Sequence, residues 1–235
     1  ESVTTSVFGL KLALKRSYIG YNLKENLTGK SIESVMEECE SSVANLPEKI
    51  NTFEYYDFIQ KCLAGTQDTH INLKRLITSP RVTSAIASVE LIDGHLYIAR
   101  NRPNLIKRFE ELAESPKGTY SEYLEPGTEI LKINDKTVSE AISSLATYIS
   151  ASSKNFKIDF TVSNLFNRDF AFPDKKEFTL KVRTSKGVEE EITLPWLQMM
   201  RSKSATDGSI EARLRLAMRG IIKSNLIDPD ENLMR

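Results

Sequence analysis

Apolar residues recur at intervals of three and four through about the first 65 residues, and this spacing places them on one face of an α-helix. One such stretch follows Ser31, which is a suitable N-cap. A second follows Asn51 or Thr52, and Gly65 stands where a left-handed residue commonly ends a helix. A third helix, interrupted near Gly20, precedes both. The predicted buried faces are Ile32, Val35, Met36, Cys39, Val43 and Leu46, then Phe53, Tyr56, Ile59 and Leu63.

Beyond Gly65 the pattern changes to short apolar or alternating segments bounded by turn residues, which indicates β-strands. Residues 70–77 and 84–100 are predicted strands, and Asp93-Gly94 is a hairpin turn. A short helix opens residues 102–124 and a loop follows it. The remaining predicted elements are a strand over 129–134, a helix from Val138 with Ala141, Ile142, Leu145 and Ile149 on its face, and a hairpin over 178–196 in which Phe178, Leu180, Val182, Val188, Ile192 and Leu194 alternate about a Lys186-Gly187 turn.

The elements together predict an α+β fold: an N-terminal helical cap, a β-rich module and a C-terminal helix. We place the boundaries at 1–66 for the cap, 67–197 for the β-rich module and 198–235 for a linker with an amphipathic helix. Small and basic residues dominate the linker, and such exposed segments are suited to proteolytic cleavage. The face of the C-terminal helix is Ile210, Leu214, Ala217, Met218 and Ile221.

Charge and hydropathy exclude several classes of function. The chain has 32 basic and 32 acidic residues, so it has no net positive field with which to bind nucleic acid. Its apolar runs are far shorter than the roughly 20 residues that span a bilayer. No signal-peptide pattern opens the chain, and a start at Glu1 indicates a processed N-terminus or a trimmed chain.

The candidate chemistry lies in the cysteines and histidines. Cys39 and Cys62 have no zinc-site spacing with each other or with a histidine, so we predict no metal. Two buried free thiols are the simpler interpretation, and a disulfide in an exported protein is the alternative. His70 lies in "CLAGTQDTHINL", where it is either a catalytic base or a solvated turn residue. His95 is most simply a hairpin side chain.

The order of elements resembles a known module. A strand, "PGTEILKINDKTV", a helix and a closing hairpin are similar to a PDZ-like domain in the circularly permuted form of bacterial proteases. Such domains bind peptides by adding a strand to a sheet edge. With "YYDFIQKCLAGTQDTH" before it and "EEEITLPW" after it, the chain resembles, over roughly residues 15–200, the serine peptidase family of the C-terminal processing peptidases and the tricorn core, and most of all its chlamydial members.

The resemblance implies specific roles. His70 matches the general base that activates a serine nucleophile, and Thr69 stands where tricorn-type members have a serine of their catalytic tetrad. Asp68 matches an acid that shapes the loop. The implied substrate is a polypeptide, and the chemistry needs neither a metal nor an organic cofactor. A homodimer is left open.

The nucleophile, the oxyanion hole and an orienting glutamate belong to a further domain in this family, and no Gly-x-Ser-x-Gly or Ser-x-x-Lys motif occurs in the chain. We therefore expect the chain alone to be inactive. It is a processed fragment, a trimmed chain awaiting a C-terminal catalytic domain or second chain, or a stand-alone PDZ-like binding module. We expect a periplasmic or secreted location after removal of a signal peptide.

Overall fold

The computed structural model describes residues 3–18, 20–71, 81–83, 87–112, 120–168, 171, 175 and 177–199. It combines helices with antiparallel sheets, in agreement with the predicted α+β class. Among these residues, one compact unit comprises those within Glu1–Lys74 and Thr147–Lys157, and we call it the helical unit. The second, the sheet unit, comprises those within Arg75–Ala146 and Ile158–Ile227. The boundaries at 66 and 197 stay a prediction.

The helical unit is built from α1 (Val3–Ser17), α2 (Lys24–Thr28), α3 (Ile32–Val43) and α4 (Thr52–Ala64). Its caps follow the sequence closely. The Ser31 hydroxyl accepts the N–H of Ser34 at 3.1 Å. Asn51 and Glu54 form a reciprocal capping box, in which each side chain accepts the other's N–H at 2.9 Å. Each helix therefore begins directly after its capping residue, α3 after Ser31 and α4 after Asn51.

The core of the helical unit confirms most of the predicted apolar faces. Buried residues include Ile32, Val35, Met36 and Cys39 of α3, with Ile59 and Leu63 of α4. Cys39 and Cys62 form a disulfide between α3 and α4, with a Cα–Cα distance of 5.7 Å. The expectation of two free thiols was therefore wrong. This Cα–Cα distance lies within the range that a disulfide normally spans.

The role of Gly65 also differs from the prediction. The left-handed residue after α4 is Gln67, with φ of 54°, and not Gly65. A Cβ added to Gly65 would lie 2.9 Å from Cγ1 of Val35 and 3.2 Å from the carbonyl oxygen of Cys62. Glycine is thus needed here because α3 approaches closely, since a larger residue would force Val35 away.

The strands of the sheet unit are β1 (Arg81–Thr83), β2 (Ala87–Ile92), β3 (His95–Asn101), β4 (Glu129–Ile133), β5 (Lys136–Thr137), β6 (Asn167–Arg168), β7 (Glu177–Arg183), β8 (Glu189–Pro195) and β9 (Leu197–Met199). They form a main sheet with strand order β2-β3-β4-β7-β8, with β5 paired to β4, and a small sheet with order β6-β1-β9, all antiparallel. The helices are α5 (Pro103–Leu112), α6 (Val138–Ala146) and α7 (Lys154–Asn164), of which α7 begins in the helical unit.

Both predicted hairpins are present. Asp93 and Gly94 have φ of 50° and 84°, which is the conformation of a type I′ turn. The second hairpin turns at Gly187, with φ of 81°. The predicted inward residues Phe178, Leu180, Val182, Ile192 and Leu194 are buried. Val188 is exposed, because it lies in the turn before β8 begins.

Other predictions differ from the structure or fall outside it. The sequence pattern predicts no element over residues 154–164, which form α7. The strand over 70–77 lies almost wholly outside the described residues, and so do the linker from 200 and the C-terminal helix.

Candidate active site around His70

The turn after α4 carries Asp68, Thr69 and His70 between two buried residues. On one side the Thr66 hydroxyl donates to the carbonyl of Leu63 at 2.6 Å inside the helical unit. On the other side Ile71 is buried, and its N–H donates to the carbonyl of Asp68 at 3.0 Å. The turn is therefore anchored at both ends while Thr69 and His70 face solvent.

Ser150 anchors the turn from a distant part of the helical unit. Its Oγ accepts the N–H of Asp68 at 2.8 Å and donates to the carbonyl of Leu63 at 3.3 Å. Ser150 Oγ also lies 3.3 Å from the Thr66 hydroxyl. The adjoining segment is fixed as well, because Gln60 donates to the carbonyl of Tyr148 at 2.9 Å. The backbone of Asp68 is thus held independently of its side chain.

The Asp68 carboxylate accepts hydrogen bonds on both oxygens. Oδ2 accepts the Tyr18 hydroxyl and lies 3.3 Å from the Lys24 ammonium. Oδ1 accepts the main-chain N–H of His70 at 2.9 Å and lies 3.0 Å from Nδ1 of the His70 ring. Only 12% of the Asp68 side chain is exposed. Two polar partners on each oxygen leave this carboxylate little freedom to reorient.

Electrostatics favour the ionised form of Asp68. Partial burial raises its pKa, whereas the hydrogen bonds from Tyr18, from the main chain and ring of His70 and from Lys24 lower it. The hydrogen bonds outweigh burial, so the pKa of Asp68 lies well below its ordinary value. Burial, helped by the bond to Asp68, raises the pKa of Tyr18 to about 12. Tyr18 is therefore a neutral donor over the physiological range.

Tyr18 directly follows α1, and Lys24 is the first residue of α2. The Lys24 side chain is 9% exposed, and its ammonium also donates to the carbonyl of Gln67 at 3.1 Å. Tyr18 passes close to Gly20, where an added Cβ would lie 2.7 Å from the phenol oxygen. The missing side chain of Gly20 makes room for Tyr18 to reach Asp68.

The His70 ring projects from this network into solvent, with 90% of its side chain exposed. Because Nδ1 faces Asp68, Nε2 is the nitrogen that remains open. Thr69 is also exposed. His95 belongs to other surroundings: it begins β3 in the predicted hairpin, and its Nδ1 lies 2.6 Å from Glu129, which also binds Arg183.

The turn motif pointed to His70 and Thr69, but the supporting residues Lys24, Tyr18 and Ser150 were missed. They lie 43 or more positions from their partners in the turn, so no local spacing reveals them. Several other polar residues lie in the same part of the chain, so nothing in the sequence singles out Tyr18 or Lys24.

Two negative findings hold within the part of the chain that the structure describes. No group of three or more histidine, cysteine, aspartate or glutamate side chains comes together as a metal site. No helix there is both long enough and apolar enough to cross a bilayer.

Comparison with known proteins gives matches among solved structures. No family model and no curated sequence matches the chain. Among solved structures, it is similar to CPAF, the chlamydial protease-like activity factor: mature CPAF, alone and complexed with lactacystin, matches at a TM-score of 0.65 with 17% identity over 83% of this chain. A serine-to-alanine mutant of CPAF matches at the same TM-score with 16% identity.

The similarity supports the resemblance found in the sequence. At this identity the likeness is one of fold. The chain spans 34% of the length of those structures.

Proposed function

We propose that this chain is the part of a serine endopeptidase that supplies the general-base histidine, His70. The observation that carries the proposal is the contact between Nδ1 of His70 and the Asp68 carboxylate at 3.0 Å, with the rest of the ring exposed. A base that acts on a serine hydroxyl needs an imidazole of fixed tautomer and an open second nitrogen. The protease fold of the similar structures supports the same interpretation.

In the proposed reaction, Nε2 of His70 takes the proton of a serine hydroxyl as its oxygen attacks the carbonyl carbon of a peptide bond. The proton then passes to the leaving amine, the acyl-enzyme forms, and water hydrolyses it by the reverse proton route. The serine belongs to a C-terminal domain or to a second chain. Thr69, the exposed residue that precedes His70 in the chain, is a candidate fourth member through its hydroxyl.

The substrate is a polypeptide, and no metal or organic cofactor takes part in this chemistry. The sheet unit has the role of the PDZ-like module, which admits or binds the substrate chain. We place the protein in the periplasm or outside the cell, and the Cys39–Cys62 disulfide supports this location because such bonds persist in oxidising compartments.

The test is His70→Ala in the complete protein that contains this chain. We expect turnover of a polypeptide substrate to fall by at least ~10²–10⁴-fold, because general-base help is lost with nucleophile activation. Folding should be unchanged, since the exposed ring contributes little packing. The matched control is His95→Ala, which should retain activity.

Activity within a few-fold of wild type in folded His70→Ala would contradict the proposal. In the same assay, Thr69→Val keeps the shape and removes the hydroxyl. A clear loss would assign Thr69 to a tetrad, and full activity would leave a triad.

A second candidate is a non-catalytic peptide-binding module. Among the described strands, β2 ends the order of the main sheet, and an extended peptide can add to such an edge. Binding of unfolded polypeptide by the chain, unchanged in His70→Ala, together with no hydrolysis by the complete protein, would favour this candidate.

A further inference from the structure

We infer that Asp68 is the acid that orients His70, and that Lys24 and Tyr18 act through Asp68 as positioning residues. The catalytic meaning of this inference rests on the proposed function, but the orientation itself does not. It also departs from the family pattern, which places the orienting acid in a further domain. Here the acid would lie two residues before the base.

The first argument is that the two carboxylate oxygens have different partners. Lys24 and Tyr18 donate to Oδ2, and the main chain and ring of His70 face Oδ1. The donors on Oδ2 fix the rotation of the carboxylate and leave Oδ1 directed at the imidazole. The hydrogen bond from Asp68 N–H to Ser150 fixes the backbone at the same residue.

The second argument is charge. The Lys24 side chain is 9% exposed, and a buried ammonium requires an ionised partner. Asp68 is that partner, so it remains a carboxylate that can only accept hydrogen bonds. An acceptor-only group beside Nδ1 selects the ring tautomer that carries its proton on Nδ1, and Nε2 is then free to accept a proton.

The third argument separates orientation from simple turn formation. An aspartate that only shapes a turn accepts the main-chain N–H two residues later, as Asp68 does at 2.9 Å. That bond does not require the ring to lie nearby. Because the ring is 90% exposed, packing does little to hold it, and Asp68 is the contact that sets its direction.

The experiment is nitrogen NMR of the two imidazoles in the 235-residue chain, at an alkaline pH where histidine is neutral. Ring ¹⁵N shifts distinguish the protonated nitrogen from the unprotonated one. In wild type we expect His70 to carry its proton mainly on Nδ1, the reverse of the preference of free imidazole side chains. Wild-type His70 protonated mainly on Nε2 would overturn the inference without any variant.

Asp68→Asn gives the sharper result. The amide has one oxygen for two donor-only groups, the Lys24 ammonium beside Oδ2 and the His70 main-chain N–H beside Oδ1. With its oxygen at the Oδ2 position, the amide nitrogen faces the ring and donates to Nδ1; with its oxygen at the Oδ1 position, a neutral acceptor replaces a carboxylate beside Nδ1. In either orientation we expect the Nδ1-protonated fraction of His70 to fall, while the tautomer preference of His95 stays as in wild type.

Glu129→Gln is the matched control, because Glu129 lies 2.6 Å from Nδ1 of His95. It should change the signals of His95 and leave those of His70 unaltered. Lys24→Met removes one of the two donors that fix Oδ2, so the Nδ1-protonated fraction of His70 should fall towards the free-histidine value. An unchanged His70 tautomer in folded Asp68→Asn overturns the role of Asp68, and an unchanged tautomer in folded Lys24→Met overturns that of Lys24.

This experiment is independent of the proposed function, because it needs no substrate and no nucleophile. An oriented His70 in a protein whose activity survives His70→Ala would refute the protease proposal alone. A protease that needs His70 but shows no tautomer response to Asp68→Asn would refute the orienting role of Asp68 alone.

Discussion

Gly20 determines whether the Tyr18 phenol reaches Asp68, although it contributes no atoms to the network. A methyl group at position 20 would overlap the end of the Tyr18 ring, at 2.7 Å from both Cζ and the phenol oxygen. The ring end can swing away more easily than the backbone, so the side chain would move. The hydrogen bond to Asp68 is then the interaction that is lost.

We therefore predict that Gly20→Ala lowers the free energy of unfolding by about 1.5–3 kcal/mol, the usual value of a hydrogen bond to a charged group. Urea unfolding measures it. The control is Gly9→Ala in α1, where an added Cβ meets nothing within 4 Å. That change should stabilise the helix by about 0.5–1 kcal/mol, because alanine is the better helix former. Equal effects of the two substitutions would contradict the steric argument.

Two tyrosines of the helical unit have raised pKa values, and these make the stability of the unit depend on pH. Burial, with hydrogen bonds to Asp68 and Glu33 respectively, raises the pKa of Tyr18 and of Tyr21 to about 12. A raised pKa in the folded state stabilises the fold below the unfolded pKa of about 10, and that stabilisation is lost as pH rises from there through about 12. The helical unit should therefore weaken in strong alkali.

The measurement is tyrosinate absorbance together with urea unfolding between about pH 9 and 12. Tyr18→Phe and Tyr21→Phe should each remove one late-titrating group and flatten the fall in stability with pH. If the absorbance step that a variant loses lies instead near the ordinary tyrosine pKa of about 10, the substituted residue is not hydrogen-bonded as described.

At the scale of elements, sequence patterns were most informative where local chemistry decides the structure. Ser31 and Asn51 cap α3 and α4 as expected, and Asp93-Gly94 turns its hairpin, because each effect involves neighbours along the chain. The helix α7 was missed because Phe156, Ile158, Phe160 and Val162 alternate with the period of a strand. Gly65 was misread because its constraint comes from Val35 on another helix.

The candidate site was likewise predictable only where the signal lies within a short stretch of the sequence. His70 and Thr69 could be named from the turn motif, and Asp68 was seen as a loop acid. Its contact with the ring depends on how the turn folds, and its donors Tyr18 and Lys24 lie on a separate stretch of chain. Tertiary packing brings these groups together, so a single sequence without its fold does not reveal them.

The disulfide between α3 and α4 yields a prediction about their pairing. Cys39 and Cys62 are 23 positions apart, and a loop of this length should contribute roughly 3–4 kcal/mol to the free energy of unfolding. Reduction, or the double substitution Cys39→Ala and Cys62→Ala, should lower stability in chemical unfolding by that amount. Two free thiols per molecule, titrated under denaturing conditions before reduction, would show that the bond is absent.

At the scale of the whole molecule, balanced charge and the α+β class could be predicted, but the division into units could not. Residues Thr147–Lys157 return to the helical unit after the chain has passed through the first part of the sheet unit. No composition change marks this return. It depends on buried polar contacts such as that between Ser150 and Thr66, which only the folded chain forms.

Ser150 has a consequence for how the protein is made. During synthesis from the N-terminus, the turn with His70 leaves the ribosome well before Ser150, the partner that receives the Asp68 N–H, 82 positions along the chain. Until then the Asp68 N–H lacks the acceptor that Ser150 later provides. The groups that contact the Asp68 carboxylate are all made before residue 71, whereas the acceptor that holds its backbone is made only after β2, β3, β4 and α6.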